Sequence, residues 1–213
     1  MTGKIEEIQQ GIYLLEGVGK GSHHYLIRAA YRNVLIDSGL DQDFLCLQEQ
    51  LLSLGLKVRD VDLVINTHEH LDHIGANRYF QETSFIAAHR FAATKITLED
   101  HYVTLYRSGD RNEVPLRVHV WLENRCLFDL GSHTLEVIHT PGHTSGSICI
   151  YEFKTKVLFF RRHGIRRRHA LLHRRVRKRR RLHQFHHTSG GSENIEDLSR
   201  PWGCFSKPRT RSI

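Results

Sequence analysis

The chain has 213 residues, 39% of them hydrophobic and 25% charged, the balance of a soluble globular protein and not of a disordered or collagen-like one. That length predicts one compact domain with a substantial core. The net charge of +8 would point to an anionic partner, yet twelve Lys and Arg and no acid lie between Arg161 and His187, while residues 1–160 hold 15 basic and 20 acidic residues, so the body is acidic and the excess is local.

The runs Ile12–Glu16, Tyr25–Arg28 and Asn33–Asp37 are apolar and β-branched, separated by Gly and polar turns, and predict an antiparallel opening. Phe44, Leu45, Leu47, Leu51, Leu52 and Leu54 then follow a helical spacing, and Val61–Asn66 is a short apolar strand that ends at a cluster of His and Asp. From Gly75 to about Tyr106 helical patterns surround a short strand at Phe85–Ala87. Leu116–Trp121, Cys126–Leu130, Thr134–Ile138, Ile148–Phe153 and Val157–Phe160 return to strands. Two sheets with helices outside them would bury these faces, an α/β (α+β) sandwich over residues 1–160. After Phe160 the chain has neither helical nor strand periodicity, and residues 161–213 are expected to form a basic tail with no fold of its own.

No apolar run is long enough to cross a bilayer and the opening MTGKIEEIQQG is too polar for a secretory signal, which predicts a cytoplasmic chain with no membrane partner. Cys46, Cys126, Cys149 and Cys204 are scattered without a paired spacing, against both a disulfide framework and a thiolate zinc knuckle.

In Thr67-His68-Glu69-His70-Leu71-Asp72-His73, four potential metal ligands fall within six residues directly after a strand. Zinc takes imidazole nitrogen and carboxylate oxygen at about 2.0–2.2 Å, which so tight a cluster can offer only on a sharply turning loop. A second loop, His139-Thr140-Pro141-Gly142-His143-Thr144-Ser145-Gly146, follows another strand, and its Pro and Gly shape a turn able to aim His143 at the same place. Single histidines in loops are usually solvated or hydrogen-bonded, and His23, His24, His89, His101, His119, His133 and His139 are read that way. Asp37, at a strand end, reads equally as a turn cap and as a group that orients a ligand.

THEHLDH and HTPGHTSGS, with VLIDSG upstream, resemble the motifs of the metallo-β-lactamase superfamily of zinc hydrolases over about residues 10–160. The resemblance implies an αββα sandwich with metals at one edge of its sheets. It implies that His68, His70 and His143 hold one zinc and that Asp72 and His73 contribute to a second, Asp72 also orienting the attacking water. The implied chemistry is hydrolysis of a thioester, ester or lactone-type small molecule, glyoxalase II-like, because a secreted β-lactamase would want a signal peptide.

The superfamily pattern continues with a Gly-Asp whose carboxylate bridges the two metals and a later Gly-His-Gly; neither is present here. Where Gly-Asp is expected the chain reads Phe160-Arg161-Arg162-His163. Codons CGG CGA CAC GGC ATT CGC CGG CGG CAC for Arg161–His169, read one nucleotide later, give Gly-Asp-Thr-Ala-Phe-Ala-Gly-Gly-Thr. The same shift over Ser199–Gly203 yields Pro-Gly-His-Gly. The tail is therefore read as the right nucleotides in the wrong frame, leaving a domain with an incomplete second half, weakly active with one zinc instead of two. The competing reading is an evolved basic arm for nucleic acid, or a metal-dependent nuclease; under the frame reading, nucleic acid binds the tail only non-specifically. His183, His186 and His187 would at most hold adventitious metal.

Overall fold

The computed structural model describes residues 3–18, 21–105 and 115–160. The basic segment and the rest of 161–213, with every expectation placed on them, lie outside the described residues.

The chain opens with β1 (Ile5–Gln9), β2 (Ile12–Leu15), β3 (His24–Arg28) and β4 (Asn33–Ile36), successive antiparallel neighbours, so the expected antiparallel opening holds and gains a first strand. Ile5–Gln9 carries two glutamates and a half-buried face, which hid it among polar residues in the sequence. Helix α1 (Phe44–Ser53) crosses to β5 (Leu63–Asn66), and β6 (Phe85–His89) and β7 (Val120–Leu122) follow, β4 to β7 running parallel in one seven-stranded sheet. The second sheet is antiparallel in the order β11 (Leu158–Phe159), β10 (Ile148–Glu152), β9 (Thr134–His139), β8 (Leu127–Asp129).

Successive residues of a strand face opposite ways, and the apolar runs here satisfy two cores at once. Val34 and Ile36 of β4, with Ile12, Ile27, Ile65 and Ala87, turn toward the second sheet and meet Leu135, Val137, Ile148, Ile150 and Phe159. Leu35, Leu26, Val64 and Ile86 turn the other way, under Phe44, Leu47 and Leu51 of α1 and under Phe80. Strands buried on both faces must be apolar without interruption, which is why LVIN and NVLI read as plain hydrophobic runs. A third cluster seats α3 (Arg90–Thr97) through Ala92, Ala93 and Ile96 beside Ala88.

The molecule is thus a mixed α/β sandwich in which α1 and α3 lie against the first sheet. The helix layer expected over the second sheet would come after Phe160, outside the described residues. Two expectations are corrected. The strand read at Leu116–Trp121 begins only at Val120, because of residues 115–119 only His119 hydrogen-bonds to β6, at Ile86. The helical stretch from Gly75 breaks into a 3-10 turn at Gly75–Tyr79, α3, and the short α4 (His101–Thr104), and its end falls among undescribed residues. Among the described residues no helix is long and apolar enough to cross a membrane.

Candidate metal centre

The parallel strands β4, β5 and β6 end side by side, and their C-terminal ends carry Asp37, the His68–His73 segment and His89 respectively. A crevice at the carboxyl ends of parallel strands is where such sheets place ligands. After β5 the chain turns through Thr67–His70 into the single-turn helix α2 (Leu71–Ile74), which holds Asp72 and His73. From the second sheet, the turn after β9 brings His143 to the same edge. The Ile148 N–H donates to the Thr67 carbonyl at 2.8 Å, tying the start of β10 to the end of β5.

The five residues singled out by the sequence come together in two overlapping groups. The donor atoms of His68, His70 and His143 lie within 4.8 Å of one another, and so do those of His68, Asp72 and His73. The His70 and His143 rings stand edge to face at 4.4 Å and His68 is 4.8 Å from each. His68 and His73 are buried. A cluster of imidazoles with one carboxylate suits a divalent transition metal, since neutral nitrogen donors and one oxyanion match its charge and geometry.

Asp37 organises the second group. Its backbone adopts φ 59°, a left-handed conformation that turns the carboxylate back over the end of β5. There it accepts the Thr67 N–H and the Thr67 hydroxyl, both at 2.8 Å, and lies 2.7 Å from His73 Nδ1. These contacts serve both readings of Asp37, since it caps the turn at Thr67 and fixes the His73 ring. With Nδ1 committed to Asp37, His73 presents Nε2, 3.4 Å from Asp72 Oδ2. Burial pushes the His73 imidazole down, but the Asp37 and Asp72 carboxylates outweigh it and hold the group up at about 9. Beneath α2, Ser38 Oγ donates to Asn77 Oδ1, and Asn77 Nδ2 to Asn66 Oδ1, each at 2.8 Å. Beside Asp72 and His73 opens a cavity of about 240 Å³, walled on its apolar side by Tyr25, Ile36, Phe159 and Phe160.

Several of the other described histidines have local structural contacts. His24 is packed against Gly39 and the Asp37 carbonyl. His119 accepts from the Ile86 N–H and His23 from the Gly17 N–H. His139 stacks on His89 at 3.8 Å and bonds the Ser145 carbonyl. What the sequence reading missed is Glu69. Lying between two histidines, it is fully buried and contacts Lys95 Nζ at 2.5 Å and the Thr144 hydroxyl at 2.7 Å. No spacing links position 69 to 95 or 144; only a charge flanked by buried neighbours hinted that a partner was needed.

A mixed α/β sandwich with an imidazole-rich crevice at the carboxyl ends of its parallel strands defines a divalent-metal-binding enzyme domain. The model of the metallo-β-lactamase superfamily matches residues 18–160, and the chain belongs to that superfamily. A probable metallo-hydrolase from Methanocaldococcus jannaschii is 35% identical over 65% of this chain and 66% of its own length. An acyl-coenzyme A thioesterase from Gallus gallus is 28% identical over 66% of this chain and 57% of its own length. Among solved structures, a subclass B3 metallo-β-lactamase from Bradyrhizobium japonicum superposes with a TM-score of 0.61 at 26% identity, over 75% of this chain and 62% of that one. The chain therefore spans less than two thirds of the length of these relatives.

Proposed function

We propose that this chain carries a zinc-dependent hydrolase centre acting on a thioester or related ester or lactone. The observation that carries the reading is the convergence of His68, His70, His143, Asp72 and His73 from two sheets onto one crevice. His68, His70 and His143 would hold one ion, and Asp72 and His73 would contribute to a second. Zinc bound there would acidify a coordinated water from about 15.7 towards 7 and polarise the scissile carbonyl. The chain's own residues do the positioning. Asp37 fixes the His73 ring, Asp72 stands where it can accept a hydrogen bond from the attacking water, and Tyr25, Ile36 and Phe159 offer an apolar wall beside it. The kinship with a thioesterase supports a thioester over a β-lactam.

The same reading extends to the tail. Residues 161–213 are proposed to be a frame-displaced translation of the segment that would supply the bridging Gly-Asp and the Gly-His-Gly. Sequencing the nucleotides around the Phe160 codon decides this; an alternative frame closed before a Gly-His-Gly refutes it. For the centre itself, elemental analysis of the purified chain should find a zinc-class ion, and His68→Ala with His143→Ala should lose it along with thioester hydrolysis. A metal-free parent, or variants equal to it in metal content and turnover, would end the hydrolase reading.

A further inference from the structure

We propose that Glu69, Lys95 and Thr144 form a positioning clamp that sets the spacing of the two histidine loops and thereby the affinity of the ion held by His68, His70 and His143. The inference rests on the metal-centre reading above.

Glu69 is the sequence neighbour of both His68 and His70, and Thr144 of His143. One carboxylate therefore links the backbones that bear all three imidazoles. Its Oε2 accepts the Thr144 hydroxyl at 2.7 Å, and its Oε1 contacts Lys95 Nζ at 2.5 Å. Lys95 in turn donates to Ser145 Oγ at 2.7 Å, so one ammonium holds both loops. It stands on α3, which Ala92, Ala93 and Ile96 anchor in an apolar cluster. The second loop is pressed onto the same helix: a Cβ at Gly146 would lie 2.5 Å from the Ala92 nitrogen.

A carboxylate with a 0% exposed side chain is costly to bury, and an apolar residue of that volume would fill the space at least as stably. What an apolar residue lacks is direction. The ion pair and its two hydroxyl partners define the separation of a loop on the first sheet from a loop on the second, which plain packing would leave free by some tenths of an ångström. Ligand sets tolerate little such error, and groups that hold ligands in place are typically worth about ten- to hundredfold in metal affinity.

The test uses the full chain and Co²⁺, with affinity read by chelator competition and geometry by visible absorption. The parent is compared with Thr144→Val, Lys95→Met and the charge-neutral pair Glu69→Gln with Lys95→Met, at temperatures where circular dichroism shows each folded. Thr144→Val and the neutral pair should bind Co²⁺ about tenfold or more weakly, with an altered spectrum, although the pair is better folded than Lys95→Met alone. Parent-like affinity and spectrum in both Thr144→Val and the neutral pair would overturn the clamp while leaving the metal centre standing. A parent that binds no Co²⁺ would overturn the metal centre, and the clamp with it.

Discussion

Asp37→Asn isolates the charge at the end of β4 from the shape of the residue that carries it. Position 37 has φ 59°, a conformation that Asn adopts about as readily as Asp, so the exchange adds no backbone strain. An amide oxygen can keep the Thr67 N–H, but the amide NH₂ then faces the Thr67 hydroxyl and His73 Nδ1, both donors in the parent. The Thr67 hydroxyl can turn to accept from the amide, but the His73 bond to a charged acceptor is lost, and breaking a buried pair of this kind predicts a destabilisation of roughly 3–5 kcal/mol. The exchange also removes the carboxylate that fixes Nδ1 as the protonated nitrogen of the neutral ring, so the tautomer with its proton on Nε2, the nitrogen beside Asp72, would compete with a metal. Chelator competition should then show affinity lower by about ten- to hundredfold. Urea unfolding followed by circular dichroism gives the first number and Co²⁺ titration the second. If Asp37→Asn unfolds within about 1 kcal/mol of the parent and binds Co²⁺ equally well, the orienting role of Asp37 is wrong.

Acid should unfold the protein partly through His24. Burial lowers its imidazole from 6.5 to about 4 against the pull of Asp37. Unfolded chains take up this proton near pH 6.5 and folded ones only near 4, so its contribution is fully present above pH 6.5 and disappears as pH falls through that window. Linkage puts the loss at about 3 kcal/mol; urea midpoints at pH 7 and 4.5 measure it, and His24→Asn should flatten the profile. Two glycines with similar backbone but different surroundings give a paired test by thermal melting. Gly55→Ala, with φ +75° and nothing within 4 Å, should cost about 1–2 kcal/mol, whereas Gly39→Ala, with φ +81° and His24 Cε1 at 2.3 Å from the new Cβ, should cost clearly more. Phe80→Ala, which empties a fully buried ring site beneath α1, should cost about 3–5 kcal/mol in urea unfolding.

The ligand loops were legible because His and Asp spaced so tightly after an apolar strand have few structural uses, the central strands β4 and β5 because burial on two faces demands continuous apolar runs, and β9 and β10 because one buried face imposes alternation. The stretch from Gly75 was not. Its apolar residues recur at helical spacing, yet Gly75 must stay small, since a Cβ there would lie 2.9 Å from the Asp41 nitrogen, and the chain tightens into a 3-10 turn before reaching β6. Glu69 was hidden, and the two readings of Asp37 were left level, for another reason: their roles depend on partners such as Lys95, Thr144 and His73, which only the closed sandwich brings near. Local periodicity carries no information about which loop of one sheet will face which loop of the other.

The donor set argues for how many ions this chain can hold. His68 belongs to both groups, but its Nδ1 lies 3.1 Å from the Thr67 hydroxyl, so it can serve only one ion. Committed to His70 and His143, it completes three protein ligands, the number that leaves a catalytic zinc one open position. Asp72 and His73 are then the remaining described donors of the second group, one short of that number. Under the frame proposal the missing donors are the aspartate of the Gly-Asp that would follow Phe160, itself a lining residue of the cavity, and a later histidine. This chain should therefore bind one zinc per molecule, and a chain with the alternative frame restored after Phe160 should bind two and hydrolyse thioesters faster. Equal stoichiometry and equal turnover, measured by elemental analysis and a thioester assay on both chains, would show that the residues after Phe160 contribute nothing to the centre.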